Sequence, residues 1–359
     1  MKIGILTYHR AHNYGAVLQC YALLSYIREK GTEAVVIDYR PSYFKYGLFV
    51  WYKWFSLNPV KLIHKLSHQA KTFILQKRRY DGFEKFINNF IVPKQIDLSH
   101  EQTDIDCFVF GSDQVWRKNG DAFDPIFWGE FKAAQHAKLA SYAASMGKAT
   151  LTESEEKQVK EWLSYFSNIM VRETSLKGLL SPLTEKEVNV VVDPTLLLTA
   201  QDWNKIAVCP NRKKPYVLVY QVIEHPAALR LAQEAAKHLG AEIVEIASKI
   251  DGRKASHEMI YAASPNEFIG LVSNAAMVVT TSFHGTAFSI IYRKPFVSIK
   301  QHKPSDLRIS SILETCDLTG RFIDCEEKTL PLSLYDAPKP KLDAINVSKH
   351  YLNILLGEK

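Results

Sequence analysis

The chain has 359 residues, 47% of them apolar and 23% charged, with a formal net charge of +7. That balance belongs to a globular protein of about two domains and excludes a disordered or membrane-embedded chain. The five cysteines (Cys20, Cys107, Cys209, Cys316, Cys325) form no C-x-x-C pair, so their spacing gives no zinc site and no disulfide framework.

The first residues, MKIGILTYHR, place one lysine before a short apolar run that reads as a strand. They lack the longer apolar region of a secretion signal. With no run of about 20 apolar residues, no membrane span is expected. The expected location is cytoplasmic.

Lys2 to Tyr8 reads as a strand and His9 to Gly15 as a polar turn. Ala16 to Lys30 is an amphipathic helix with Val17, Leu18, Tyr21, Leu24 and Ile27 at its period, ended by Gly31. Glu33 to Tyr39 is the second strand, which completes a βαβ unit, the opening of a doubly wound domain. The turn holds no G-x-G-x-x-G, so no nicotinamide or flavin dinucleotide is indicated. Asn13 and Gly15 are candidates for letting backbone approach a ligand; a plain tight turn fits them equally.

Pro41 to Phe90 interrupts the α/β rhythm. Between Ser42 and Phe90, nine Lys or Arg face two acids, Asp81 and Glu84, a surplus equal to the net charge of the whole chain. Tyr43, Phe44, Trp51 and Trp54 lie in the same stretch. Aromatic residues beside a basic helix suit the headgroup zone of an anionic membrane. The alternative is an insertion that packs its aromatics on its own domain and solvates its lysines. No nucleic-acid-binding motif is present.

Asp104 to Phe110 and Lys138 to Tyr142 are further strands, and the first runs into Gly111-Ser112-Asp113-Gln114-Val115-Trp116. Thr152 caps a helix to Phe166, with Glu153, Glu155 and Glu156 at its positive end. Asn168 to Val171 leads to Arg172 at a strand-to-helix turn. An arginine there clamps a carboxylate or phosphate with its planar fork, or pairs with a neighbouring acid. Val188 to Val192 and Asp193-Pro194-Thr195 close the first half, with a boundary near Thr199 to Asn211.

Tyr216 to Gln221 opens a second α/β domain, followed by a helix His225 to Leu239 and a strand Glu242 to Ile246. Ser264 caps a helix with Pro265 at its first position. Ala276 to Thr281 reads as a strand buried on both faces, Ser282 to Thr286 as a polar turn, and Ala287 to Tyr292 as a helix broken by Lys294-Pro295. Ligands of open α/β sheets bind at the carboxyl ends of strands, and helix N-termini suit anions. His284 therefore sits where an acid–base group beside a phosphate or carboxylate would act; a histidine capping a turn is the alternative. Ser305 to Arg308 precede a helix Ile309 to Cys316, and a final helix spans Leu342 to Leu356.

The expected architecture is α/β: two Rossmann-like doubly wound domains facing a cleft. Residues 1–199 form the first domain, with the basic aromatic insertion at 42–90. Residues 200–331 form the second, and 332–359 a linker with a terminal helix. Polar loops bearing Asn13, Asp113, Arg172, His284 and Arg308 are expected at the cleft.

Several stretches in this order carry a resemblance: ILTYHRAHNYGAVLQCYAL, DCFVFGSDQVW, VRETS, VVDPT, and VVTTSFHGTAFSIIYRKPFVSI followed by SDLRISSIL. Together they resemble the polysaccharide pyruvyl transferases over nearly the whole chain. The resemblance implies a GT-B-like fold and transfer of a pyruvyl group from phosphoenolpyruvate onto two hydroxyls of a sugar, forming a cyclic ketal. It implies a glycan or lipid-linked oligosaccharide acceptor and no metal or cofactor. His284 matches the catalytic histidine and Arg172 a donor-binding arginine. Some family members carry an arginine two residues before the histidine, where this chain has Ser282. Lys300 and Arg308 are the candidates to replace that cation. Ser282, Gly285 and Thr286 complete the expected donor side, Asp113 is the candidate base, and Asn13, Gly15 and Ser112 are the expected acceptor side. A nucleotide-sugar glycosyltransferase of the same fold and a non-catalytic glycan-assembly protein are the other readings.

Overall fold

The computed structural model describes residues 1–44, 59–147, 150–250, 255–303 and 306–357. The chain divides into two compact units: residues 1–43, 87–199 and 341–359 form the first, and 44–86 with 200–340 the second.

The first unit is built on six parallel strands, β1 (Lys2–Leu6), β2 (Glu33–Val36), β3 (Cys107–Phe110), β4 (Lys138–Ser141), β5 (Phe166–Val171) and β6 (Val188–Val190), in the order β2-β1-β3-β4-β5-β6. Crossovers bury both faces of such a sheet, so its strands are apolar throughout rather than alternating. All four residues of β3 are buried. Helix α1 (Tyr14–Glu29) is capped by Asn13, whose Oδ1 accepts from the Gly15 N–H at 2.8 Å. Trp116 stacks on Trp128 with centroids 4.5 Å apart, and Trp128 stacks on Trp162. The tryptophan of the GSDQVW stretch is thus a core residue that anchors the loop after β3.

The second unit repeats the plan. Strands β7 (Tyr216–Tyr220), β8 (Glu242–Ile246), β9 (Glu258–Ile260), β10 (Met277–Thr280), β11 (Phe296–Lys300) and β12 (Phe322–Asp324) are parallel, in the order β12-β11-β10-β7-β8-β9. Each sheet is therefore doubly wound, as expected. The short edge strands β9 and β12 were not anticipated; at three residues each they carry too little pattern to read.

Three elements differ from expectation. The basic segment is not an insertion within the first domain. Its helix α2 (Pro59–Phe86) packs on α7 (Pro265–Asn274) in the second unit, where a Cβ on Gly82 would lie 3.1 Å from Ser264 Cβ. Arg79 donates to the carbonyls of Ala247 and Ser248 at 3.2 and 3.3 Å, and Arg78 lies 3.8 Å from Glu267. Trp51 and Trp54 lie outside the described residues. Second, the terminal helix α10 (Asp343–Leu355) belongs to the first unit: the Val192 N–H donates to Ser348 Oγ at 2.9 Å, and Tyr26 donates to Asn353 at 2.9 Å. Third, α8 (Phe283–Ile291) begins four residues earlier than the apolar run predicts, so His284 lies inside its first turn.

Close approach explains one glycine of the second unit. A Cβ on Gly270 in α7 would lie 1.9 Å from the Val208 carbonyl oxygen. Gly270→Ala is expected to destabilise by at least about 1–3 kcal/mol, because rigid backbone must move. Gly178→Ala, in α4 (Thr174–Leu180) with open space around it, should instead gain a few tenths to about 1 kcal/mol. Thermal midpoints of the two variants check the pair.

Candidate active site

In the second unit the site grows from the β10–α8 junction. Thr280, the last residue of β10, donates through Oγ1 to the Tyr220 carbonyl at 2.6 Å and accepts from the Ser282 N–H at 3.0 Å. Ser282 caps α8 and accepts from the Gly285 N–H at 3.4 Å. Gly285 has no room for a side chain: a Cβ there would lie 2.2 Å from Thr280 Oγ1. Thr286 Oγ1 donates to the Ser282 carbonyl at 3.0 Å and lies 2.7 Å from Ser298 Oγ on β11. Ser282, Gly285 and Thr286 are thus brought together as one hydrogen-bonded turn.

His284 projects from that turn, 9% exposed, with the Phe283 ring edge-on at 5.0 Å. It sits at the amino end of α8, where backbone N–H groups and the positive dipole end favour a carboxylate or phosphate. Lys300 ends β11 and stands 5.4 Å from the Phe322 ring centroid. Arg308 lies in the first turn of α9 (Asp306–Thr315) and is half-buried. At the carboxyl ends of β7 and β8 lies a separate cavity of ≈ 590 Å³ lined by Gln221, Glu224, His225, Glu245 and His257. Two carboxylates in its wall make it a poor seat for a doubly anionic donor.

In the first unit the polar groups gather at the carboxyl ends of β3 to β6. Arg172 donates through Nη1 to Asp193 Oδ2 at 2.9 Å and through Nε to Glu173 Oε1 at 3.2 Å. Ser112 Oγ donates to the same Asp193 oxygen at 3.3 Å, and Ser145 Oγ to Glu173 at 2.8 Å. Asp193 Oδ1 accepts from both the N–H and the hydroxyl of Thr195. Arg172 is 4% exposed and Asp193 1%. Burial alone would weaken the arginine's charge; Glu173 and Asp193 reverse that and push its pKa upward. The ion-pair alternative for Arg172 is the arrangement seen. Asp113 holds a left-handed backbone at φ 75° and accepts from the Gln114 N–H at 2.8 Å. Asn13 is exposed at the start of α1, where its carbonyl is engaged as the cap, and Gly15 is buried in the first turn.

Several site residues were missed by sequence reasoning. Thr280, Ser298 and Glu173 stood inside the resembling stretches without a role, and Ser145 lay outside them. Asp193 stood in the quoted VVDPT stretch without a role. His9, Arg10 and Arg40 converge on Asp38 at the end of β2. Burial opposes ionisation there, yet hydrogen bonds from these three partners hold the Asp38 carboxyl well below the usual range.

Arg172→Ala strands two buried carboxylates. The expected loss is about 3–5 kcal/mol, read by chemical denaturation. A loss below about 1 kcal/mol, the scale of an exposed pair, would mean that the guanidinium is not holding the first unit together.

Solved structures align with the chain over nearly its whole length at low identity. The UDP co-structure of MnaA from S. aureus aligns with a TM-score of 0.48 and 12% identity, over 99% of this chain and 96% of that one. UDP-GlcNAc 2-epimerase from Methanocaldococcus jannaschii gives 0.49 and 12%, over 99% and 100%. The glycosyltransferase SnogD from Streptomyces nogalater gives 0.42 and 12%, over 100% and 95%. No curated protein sequence matches the chain. The family described as polysaccharide pyruvyl transferase matches residues 13–303, most of the chain, and the protein belongs to that family.

Proposed function

We propose that the protein transfers the pyruvyl group of phosphoenolpyruvate onto two hydroxyls of a glycan or lipid-linked oligosaccharide, forming a cyclic ketal and releasing inorganic phosphate. The observation that carries this is His284, held at the amino end of α8 by the Thr280–Ser282–Gly285 turn in a chain of this family.

The reaction needs a proton delivered to carbon and two anionic groups held still. His284 as imidazolium donates its proton to the methylene carbon, which becomes a methyl group. Positive charge develops on the adjacent carbon, and a sugar hydroxyl adds there. Phosphate departs with its bonding electron pair, and the second hydroxyl closes the ring. Of the two hydroxyl protons, one restores His284 and one leaves with phosphate. The α8 N–H groups, Lys300 and Arg308 are the proposed holders of the donor's carboxylate and phosphate. Asp113 is the proposed base toward the acceptor, taking up in passing the hydroxyl proton that finally leaves with phosphate, with Asn13, Gly15 and Ser112 on the acceptor side. Arg172 acts in this reading mainly by fixing Ser112 and the loop ends around it. The lipid-linked form of the acceptor would bring the chain to an anionic bilayer from its cytoplasmic side, where Lys77 and Arg78 of α2, 55% and 70% exposed and paired with Asp81 and Glu267, and the exposed Lys85 are cations among the described residues.

Incubation with phosphoenolpyruvate and a lipid-linked oligosaccharide extract should release phosphate and add a pyruvyl ketal to the acceptor by mass. Release of a nucleoside diphosphate from a nucleotide sugar would support the glycosyltransferase reading instead. His284→Ala should fold and lose about 10²–10⁴ of the turnover; more than about a tenth remaining would remove the histidine as proton donor. Anionic vesicles should pull down the protein at low salt, less at high salt, and less when Lys77, Arg78 and Lys85 are neutralised together. No sedimentation at low salt would end the membrane reading alone.

A further inference from the structure

β11 and β12 end side by side at one edge of the second sheet, with Lys300 in register with Asp324. His302 follows β11 by two residues; Asp324 ends β12 and Cys325 comes next. One ligand-capable atom from each of the three lies within 4.8 Å of the other two. Among the described residues no other trio of His, Cys, Asp or Glu meets that spacing. His302 Nε2 is 3.0 Å from Asp324 Oδ2. The other carboxylate oxygen accepts from the Glu326 N–H at 3.1 Å, which turns Oδ2 toward the histidine. Arg230 donates to the Cys325 carbonyl at 3.0 Å and fixes the backbone under the thiol.

We propose that His302, Asp324 and Cys325 bind a divalent transition-metal ion, best matched by Zn²⁺, with water as the fourth ligand. The donor set decides the metal. Mg²⁺ and Ca²⁺ take oxygen ligands, whereas one imidazole, one thiolate and one carboxylate suit zinc. Zinc–ligand bonds of about 2.0–2.3 Å place tetrahedral donors about 3.3–3.7 Å apart. The wider gaps of the trio must therefore close by about 1.5 Å at most, and the 3.0 Å His302–Asp324 pair must open slightly, which the surface position of His302 and Asp324, 65% and 43% exposed, permits. Thiolate and carboxylate together neutralise the ion. The glutamate and arginine backbone contacts supply the outer support that metal ligands ordinarily have. Cysteine spacing cannot reveal the site, because its donors come from two strands. A bound ion would tie the segment after Lys300 to the sheet edge. This proposal stands apart from the transfer reaction.

The test uses the full chain without an affinity tag. Co²⁺ titration should saturate at one equivalent, with a thiolate-to-cobalt charge-transfer absorption that Zn²⁺ abolishes. Cys325→Ser should lose that absorption, while Cys209→Ser, at the exposed cysteine, should keep it. His302→Ala and Asp324→Asn should each weaken Zn²⁺ binding, measured against a chromophoric chelator, by at least about tenfold, the cost of losing even an outer-shell partner. Far-UV circular dichroism confirms that each variant is folded. Absence of the absorption at stoichiometric Co²⁺, or its persistence in Cys325→Ser, would overturn the site.

Discussion

The Thr280 hydroxyl fixes the second unit's chemistry. It closes the last residue of β10 onto the Tyr220 carbonyl of β7 and takes the Ser282 N–H that begins α8. Both bonds are buried, where each is worth about 1 kcal/mol net and an unmet partner costs about 1–3 kcal/mol. Gly285 presses its bare Cα against the same hydroxyl. The helix can therefore start in only one place, and His284 has only one place to stand. A larger residue at Gly285, or a threonine exchanged for valine, would shift the first turn and move the imidazole with it.

The first unit reaches a similar end with charge instead of close packing. Ser112 follows β3, Ser145 follows β4, Arg172 follows β5 and Asp193 follows β6, and all four meet through one guanidinium and two carboxylates. A buried ion pair is weak as a source of stability, since desolvation offsets most of its attraction. Its use here is geometric: the cluster sets four loop ends relative to one another. Tyr142 lies in the same buried region, where burial and the Asp193 charge push its phenol well above the ordinary range.

The sequence made the doubly wound plan legible because parallel strands buried on both faces read as unbroken apolar runs, as in Cys107–Phe110 and Met277–Thr280. The helix caps at Thr152 and Ser264 were legible for a local reason: each is followed three residues later by the glutamate of a capping box. What stayed hidden was long-range. Nothing local in α2 says that it packs on α7, and nothing in α10 says that Ser348 will meet Val192. His284 could be picked out by its place after a buried strand. The turn that holds it could not, because Thr280 and Ser298 are ordinary strand residues until the fold brings them to Ser282 and Thr286. Arg172 shows the same limit: its partner Asp193 lies 21 residues away.

Ser282 draws these threads together. Where some family members place an arginine, this chain places the helix cap. A serine cap is worth about 1 kcal/mol over a residue that cannot accept from the helix. An arginine there would supply a cation beside the donor but leave the Gly285 N–H without that partner. The exchange favours a rigid first turn over local charge. The proposed donor carries a carboxylate and a phosphate, and helix N–H groups supply only a fractional positive charge of about half a unit. A whole charge has to come from outside the turn. Arg172 is paired with Asp193 and Glu173 in the first unit. Within the second unit, Lys300 ends the strand whose Ser298 touches Thr286, and Arg308 begins the helix that follows. The proposed transfer therefore separates two tasks, with α8 setting the direction of the proton and these two cations supplying the charge.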